Sequence, residues 1–469
     1  MRAELLDVVA LRMGLFASIV SECLGGRAVG LMVTASHNPE PDNGLKLVGP
    51  DGLMAPVEWE PLAERIANAE DSQLPDVVND IRRAIGCREQ RSGTVIVGRD
   101  TRKSGMVLLE KIKAGAVRSC KVIDLGLITT PQLHFAVNAY NRDAIPPEQL
   151  LDSYYAQFIP KKDVRKRKVT IDFANGVGVQ VKKRLGDVFD VNGINEGEGP
   201  LNEGCGADHV KSSKTFPKNF VGPVGYSFDG DADRLIGYIK SKDGELVLFD
   251  GDRIAALLAT YLKNILPHDL NMGIVHTAYS NGAFIEYCQN TLNARTECVP
   301  TGVKHLHHAA LKYDVGVYFE ANGHGTVLFS DRVDWSKHPQ IKALKDCLNQ
   351  FVGDALSDLL AVELALKDLD WTYEQWAAIY KERANQLYKI DVSDRSLFKA
   401  NASEERLVEP VGLQGKIDAL VETYPGSRAF VRPSGTENIL RLYVEGPSDQ
   451  SVNQLAESIL DLFTDMNKK

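Results

Sequence analysis

The sequence predicts an α/β protein of several domains with mixed or parallel sheets. Short β-branched runs alternate with helical patterns along the whole chain, and 469 residues are too many for one core. Domains of roughly 100 to 200 residues put the count at three or four. The most distinctive motifs lie just after strand-like runs, where α/β folds place ligand sites.

In chain order, the first twenty residues pattern as an amphipathic helix, because Asp7 and Arg12 interrupt the apolar positions and leave no apolar core or cleavage site for a signal peptide. Val29-Gly30-Leu31-Met32-Val33 reads as a short buried strand. Further strands follow at Thr94–Val97, Val122–Leu125, Val169–Asp172, Val224–Phe228, Gly273–Val275, Val315–Phe319, Lys389–Val392 and Arg428–Val431. Polar stretches divide the series: Asn141 to Pro147 with the basic run Lys161 to Lys168, then Lys240 to Gly244, then Asp368 to Trp371. They set domains of 1–147, 148–244, 245–370 and 371–469.

A formal charge of -9 gives no reason to expect a nucleic-acid partner, and no window reaches eighteen uncharged apolar residues, which argues against a membrane span. The seven cysteines are scattered and never spaced C-x-x-C, so no disulfide framework or structural zinc is expected, and a reducing cytoplasm fits.

Four loops carry chemistry. Ser36 lies in Thr34-Ala35-Ser36-His37-Asn38-Pro39, followed by Asp42-Asn43-Gly44-Leu45-Lys46. A serine on an Asn/Pro/Gly turn among cations suggests an exposed hydroxyl that carries phosphate rather than an acyl-transfer nucleophile. Asp229-Gly230-Asp231-Ala232-Asp233-Arg234 sets three carboxylates at alternate positions; in an extended segment they share a face and converge on one hard cation, Mg²⁺ by first choice. A calcium hand is excluded, since loop position 12 is Lys240. The alternative is a solvated acidic turn.

Arg432-Pro433-Ser434-Gly435-Thr436-Glu437 follows a strand and reads as an anion cradle, with Gly435 permitting a tight loop, Ser434 and Thr436 offering hydroxyls and Arg432 a bidentate fork; the alternative is an ordinary turn. Glu320-Ala321-Asn322-Gly323-His324 sets an acceptor and an amide two residues apart, suited to vicinal sugar hydroxyls, with His324 open to a purely structural reading. Lys304-His305-Leu306-His307-His308 reads as a helix start with surface histidines, leaving Lys304 as a phosphate contact. No P-loop, dinucleotide fingerprint, H-E-x-x-H or G-x-S-x-G motif is found.

T-A-S-H-N-P with N-G-x-K, D-G-D-A-D-R, E-A-N-G-H-G and R-P-S-G-T-E, in this order from about Leu11 to Val444, resemble the α-D-phosphohexomutases. T-G-V-K-H-L-H-H from Thr301 and F-E-A-N-G-H-G-T from Phe319 look like the branch that handles N-acetylglucosamine phosphates. The resemblance implies four domains around a central cleft, each giving one loop. Ser36 would be the phosphoserine, and Asp229, Asp231 and Asp233 would bind Mg²⁺ together with its phosphate. His37, Lys46 and Arg234 would surround the reacting phosphate. Thr301, Gly302, Lys304, Glu320 and Asn322 would contact the sugar phosphate, and Arg432, Ser434, Gly435 and Thr436 the non-reacting phosphate.

The implied reaction interconverts N-acetylglucosamine 6-phosphate and 1-phosphate through a sugar 1,6-bisphosphate, on the route to UDP-N-acetylglucosamine, in a cytoplasmic monomer. Members of the family begin with a strand and a G-T-A-G-[FY]-R-like loop, whereas this chain starts at Met1-Arg2-Ala3-Glu4, about where the next helix begins. The first strand is therefore expected to be missing. Three readings follow: an active mutase, a Mg²⁺-dependent phosphatase, or an impaired or non-catalytic sugar-phosphate binder.

Overall fold

The apolar run at Val29 forms strand β1 (Val29–Val33), buried along its whole length. It pairs antiparallel with β2 (Leu45–Val48) and parallel with β3 (Thr94–Arg99), and β4 (Lys121–Leu127) adds parallel to β3, giving the order β2-β1-β3-β4. Alternation along each strand decides which helical layer a side chain meets. Val29, Leu31, Val33, Val95 and Val97 pack with Phe16 of α1 (Asp7–Cys23) and Ile112 of α2 (Gly105–Gly115). Met32 and Ile96 pack instead with Leu133 and Val137 of α3 (Thr130–Arg142). Each such aliphatic side chain, fully buried, contributes about 2 kcal/mol.

The structure, a computed structural model, describes residues 1–87, 91–159, 167–435 and 438–467. They fall into two units: unit 1 holds 1–250, 322–326 and 342–364, and unit 2 holds 251–321, 327–341 and the residues from 365 onward. Most of the basic run beginning at Lys161 lies outside the described residues.

The helix expected in the first twenty residues is α1, but it is not amphipathic: Arg12 and Glu22 are both buried, because helices and a sheet pack around it. The helices α1 and α2 cross at two glycines. A Cβ on Gly14 would lie 2.0 Å from the Ile112 carbonyl oxygen, and one on Gly115 1.8 Å from that of Leu11. Both obstacles are backbone, so Gly115→Ala is expected to destabilise unit 1 by about 3 kcal/mol. A urea midpoint equal to that of the unmodified chain would contradict this close crossing.

No strand precedes α1 among the described residues. Instead Met1–Ala3 run antiparallel to Pro41–Asn43, with the Ala3 amide 3.0 Å from the Pro41 carbonyl and the Asn43 amide 2.8 Å from that of Met1. A second sheet in unit 1 has the order β6-β5-β7-β8-β9, built from β5 (Lys168–Asp172), β6 (Asp190–Ile194), β7 (Val224–Phe228), β8 (Leu235–Lys240) and β9 (Leu246–Phe249). Strands β5, β6 and β7 run parallel, and β7, β8 and β9 antiparallel, so the sheet is mixed.

Unit 2 contains β10 (Met272–His276), flanked in parallel by β11 (Arg295–Cys298) and β12 (Val315–Phe319); of β13 (Gly325–Phe329), which adds to β12, only Val327–Phe329 belong to this unit. Its other main sheet is antiparallel, β14 (Ala384–Asp391), β18 (Ile439–Gly446) and β17 (Arg428–Pro433) in that order, and β15 (Lys399–Ala400) pairs separately with β16 (Leu407–Glu409). All nine strands read from the sequence are present.

The cysteine reading fails at one place. Cys23 and Cys87, with Cα atoms 4.3 Å apart, form a disulfide, while the other five are free. A separation of 64 residues without a repeated spacing hid this pair. Among the described residues no helix is long and apolar enough to cross a membrane.

Candidate active site

At the end of β1 the chain turns through Thr34 to Pro39 and returns as β2, which carries Lys46. Ser36 has φ +52°, in the left-handed region that a non-glycine residue occupies only when its surroundings hold it there. It is buried at 6% exposure, not exposed as its polar turn suggested. Its amide donates to Thr34 Oγ1 at 2.9 Å, and its own Oγ donates to Asp229 Oδ2 at 2.5 Å.

Asp229 to Arg234 form the turn of the β7–β8 hairpin, so the three carboxylates do not share a strand face. They converge because the turn curls on itself. Ala232 takes φ +59° and its amide reaches the Asp229 carbonyl at 3.1 Å, while the amides of Asp233 and Arg234 donate to Asp229 Oδ1 at 3.1 and 3.2 Å. Gly230 passes so near Ser36 that a Cβ there would sit 2.5 Å from the Ser36 carbonyl oxygen. One oxygen from each aspartate lies within 4.8 Å of the others, and all three residues are buried.

Lys46 Nζ bridges Asp231 Oδ2 and Asp233 Oδ2, each at 2.7 Å, and the Thr130 hydroxyl adds a bond to Asp231 Oδ2 at 2.6 Å. His324 Nδ1 lies 3.2 Å from Asp233 Oδ1, and Arg234 Nε stands 3.8 Å from both Asp229 Oδ2 and Asp233 Oδ1. Burial raises the Asp229 carboxyl well above the usual range, with Asp233 and Asp231 adding to it. Burial pushes Asp233 up as well, but Lys46, His324 and Arg234 outweigh it and hold this carboxyl well below that range. For Lys46 burial acts downward and is overcome by Asp231 and Asp233, which raise the ammonium above the ordinary lysine value. His37 is lowered by burial and then by Arg234, and its Nδ1 is buried without a partner among the described residues.

These residues fit a hard divalent cation. Asp231 Oδ1 is buried with no hydrogen-bond partner among the described residues, and an oxygen-only donor set of this size suits Mg²⁺ better than a softer metal. Unit 1 therefore brings together Ser36, His37, Lys46, Asp229, Asp231, Asp233 and Arg234. It also contains Asn322, whose Oδ1 accepts from the His324 amide at 3.0 Å. Thr130 was missed in the sequence, since nothing about a Thr-Pro helix start points to a carboxylate 101 residues away. Asp100 and Arg102, which hold the Ser36 loop from behind, were missed too; their place at the end of β3 was the available signal.

Unit 2 brings together the other candidates. Arg432 gives Nε to the Tyr279 hydroxyl at 2.9 Å and Nη1 to Glu404 Oε1 at 3.1 Å, with its guanidinium 5.5 Å from the Tyr279 ring centre. Glu404 Oε2 accepts from the Thr301 amide at 3.0 Å, and Glu320 Oε1 from the Gly302 amide at 3.2 Å. The Ser434 amide donates to the Ile439 carbonyl at 2.9 Å, shaping the loop that includes Gly435. Thr436 lies outside the described residues. Arg441, absent from the sequence reading, stands directly across the ladder from Arg432. Lys304 sits in the first turn of the helix Val303–Ala310. Of the histidines there, His305 and His308 are exposed as expected, but His307 is buried with Nδ1 3.0 Å from the Tyr318 hydroxyl, because it falls on the helix face turned to the sheet. Glu320 and Asn322, read as a pair, fall in different units.

Residues 250–371 match the family model of phosphoacetylglucosamine mutase AMG1, domain III. Residues 387–462 match the phosphoglucomutase/phosphomannomutase C-terminal domain, and 19–74 and 74–145 match its alpha/beta/alpha domain I. The phosphoacetylglucosamine mutase of Candida albicans is 38% identical over 98% of this chain and 94% of its own length; that of Homo sapiens is 40% identical over 98% and 91%. A crystal structure of N-acetylglucosamine-phosphate mutase in the substrate complex superposes with a TM-score of 0.92 at 38% identity, covering 99% of this chain and 94% of the other. The Aspergillus fumigatus N-acetylphosphoglucosamine mutase in complex with GlcNAc-6P and magnesium gives 0.91 at 38% identity, with the same coverage. With such identity sustained from end to end, the chain belongs to the phosphoacetylglucosamine mutase family of the α-D-phosphohexomutases.

Proposed function

We propose that the chain interconverts N-acetylglucosamine 6-phosphate and N-acetylglucosamine 1-phosphate, with Ser36 as phosphoryl carrier and a sugar 1,6-bisphosphate as intermediate. The observation that carries this reading is Ser36 Oγ bonded to Asp229 inside a buried cluster of three carboxylates. Phosphoserine gives its phosphoryl group to the sugar monophosphate, and Ser36 recovers one from the other end of the bisphosphate, so a bond to oxygen forms and breaks in each half-reaction. Such transfer asks the protein for in-line positioning and for positive charge toward the equatorial oxygens. Lys46, held charged by its two aspartates, and Arg234 supply that charge, and the unpartnered His37 nitrogen can bond a phosphate oxygen. Asp229, Asp231 and Asp233, with the phosphate on Ser36, would hold Mg²⁺, which when bound adds a hard divalent charge against the phosphoryl oxygens.

In unit 2, Arg432, Ser434 and Gly435, with Arg441, bind the non-reacting phosphate, and Thr301, Gly302, Lys304 and Glu320 contact the sugar; by the family's motifs Thr436 is assigned to the first role and Asn322 to the second. Four sheets of three to five strands are compatible with the four domains read from the sequence, although β9 continues the sheet of the second domain past residue 244. The same proposal makes the protein a cytoplasmic monomer acting on small sugar phosphates. A coupled assay with N-acetylglucosamine 6-phosphate, Mg²⁺ and catalytic glucose 1,6-bisphosphate tests it. The expected product is N-acetylglucosamine 1-phosphate. Free phosphate as the main product would mark a phosphatase, and no product from folded protein would mark a binder.

A further inference from the structure

Arg102 is 1% exposed, and all five of its guanidinium N–H groups are engaged. Nε donates to Asp100 Oδ2 at 3.0 Å. The other four reach backbone carbonyls of a single loop: Nη1 those of Pro39 at 2.6 Å and Asp42 at 2.8 Å, and Nη2 those of Ser36 and Asn38, each at 2.9 Å. The loop wraps its carbonyls around one buried cation, as a chain wraps a metal ion.

Asp100 closes the circuit from the other side. It accepts the Thr34 hydroxyl at 2.7 Å, and Thr34 Oγ1 in turn accepts the Ser36 amide at 2.9 Å. Both backbone groups of Ser36 thus lead back to the Asp100–Arg102 pair, with Asn202 Nδ2 adding bonds to the Ser36 carbonyl at 2.9 Å and that of Asn38 at 3.1 Å. A residue at φ +52° stays there only when its neighbours over-determine it, and these bonds do so. Relaxation of φ would swing Ser36 Oγ away from Asp229.

We propose that Arg102, seated on Asp100, is a positioning residue that locks Ser36 in its left-handed conformation, so that phosphoryl transfer depends on a side chain too deeply buried to touch substrate. The claim rests on Ser36 as the phosphoryl carrier. A guanidinium is required, because an ammonium has three donors and no planar fork to reach four carbonyls and a carboxylate.

The test compares Arg102→Lys and Arg102→Gly with the unmodified chain. It measures kcat and KM for N-acetylglucosamine 6-phosphate per folded molecule, and the rate at which glucose 1,6-bisphosphate loads phosphate onto Ser36 by intact mass. Both variants should lose about 10²-fold in kcat and in loading rate, the scale of a misplacement near 1 Å, with KM within about threefold. Methylguanidinium should raise kcat of Arg102→Gly at least about tenfold and leave the unmodified chain unchanged. If Arg102→Gly does not fold, folded Arg102→Lys with reduced kcat at constant KM supports the role. Folded Arg102→Lys with unchanged kcat, methylguanidinium that restores thermal stability but not rate, or failure of both variants to fold would overturn it. Failure of the unmodified chain to load Ser36 would instead retire the carrier reading; equal loading of chain and variant refutes Arg102 alone.

Discussion

Replacing Ser36 by alanine is expected to abolish mutase turnover, a fall of at least about 10⁴-fold, while N-acetylglucosamine 6-phosphate still binds. The loss is large because the hydroxyl is the group that carries phosphate between the two half-reactions, and no other residue can stand in for a covalent carrier. The fold should survive. Only one side-chain bond, Oγ to Asp229, disappears, worth about 1 to 3 kcal/mol when a buried acceptor is left behind, whereas the bonds at the Ser36 amide and carbonyl belong to the backbone. Activity and equilibrium binding measured on the same preparation separate the two effects. Turnover retained by folded Ser36→Ala would remove Ser36 from the mechanism.

The second large effect is expected at Asp231. Asparagine keeps an oxygen that can accept from Lys46 and Thr130, so the substitution removes charge with little change of shape. The carboxylate also brings the oxygen Oδ1, buried without a hydrogen-bond partner among the described residues, into the three-aspartate cluster as a ligand for the divalent ion. Asp231→Asn should therefore raise the Mg²⁺ concentration for half-activation by at least about tenfold and lower kcat by about 10² to 10³-fold. A Mg²⁺ titration of rate, with calorimetry of Mg²⁺ binding alone, reads both. An unchanged titration would put the ion elsewhere.

The strands and the four loops were legible in the sequence because they are local. Val29 to Val33 is apolar at every position, and a run like that has few fates other than a buried strand. The loop motifs concentrate rare combinations within six or seven residues. What stayed hidden was set by tertiary packing. The burial of Ser36 comes from Asp229, 193 residues away, and Thr130 reaches Asp231 across 101 residues. The acidic motif was read as extended because alternation suggests a strand, yet the Ala232 turn gathers the carboxylates more tightly than a pleat would. Arg102 gave no signal beyond its place after β3, because its partners are mostly carbonyl oxygens, which every residue has. The Cys23–Cys87 bond and the buried His307 were missed for the same reason: pairing partners and helix orientation depend on neighbours that composition does not name.

The division of unit 1 into three stretches of chain has a consequence for its biosynthesis. Ser36 and its clamp leave the ribosome early, but the unit also contains His324 beside Asp233, and the segment 342–364 from which Asp354 accepts the Tyr154 hydroxyl at 2.7 Å. At about 5 to 20 residues per second, more than 300 residues must be added after Ser36, which takes on the order of tens of seconds. Once made, the acidic turn waits about 90 residues, roughly 5 to 18 seconds at that rate, for the histidine that helps hold Asp233 ionised. A nascent chain arrested before residue 322 thus carries every residue of the phosphoserine loop and the acidic turn, but not a finished catalytic unit.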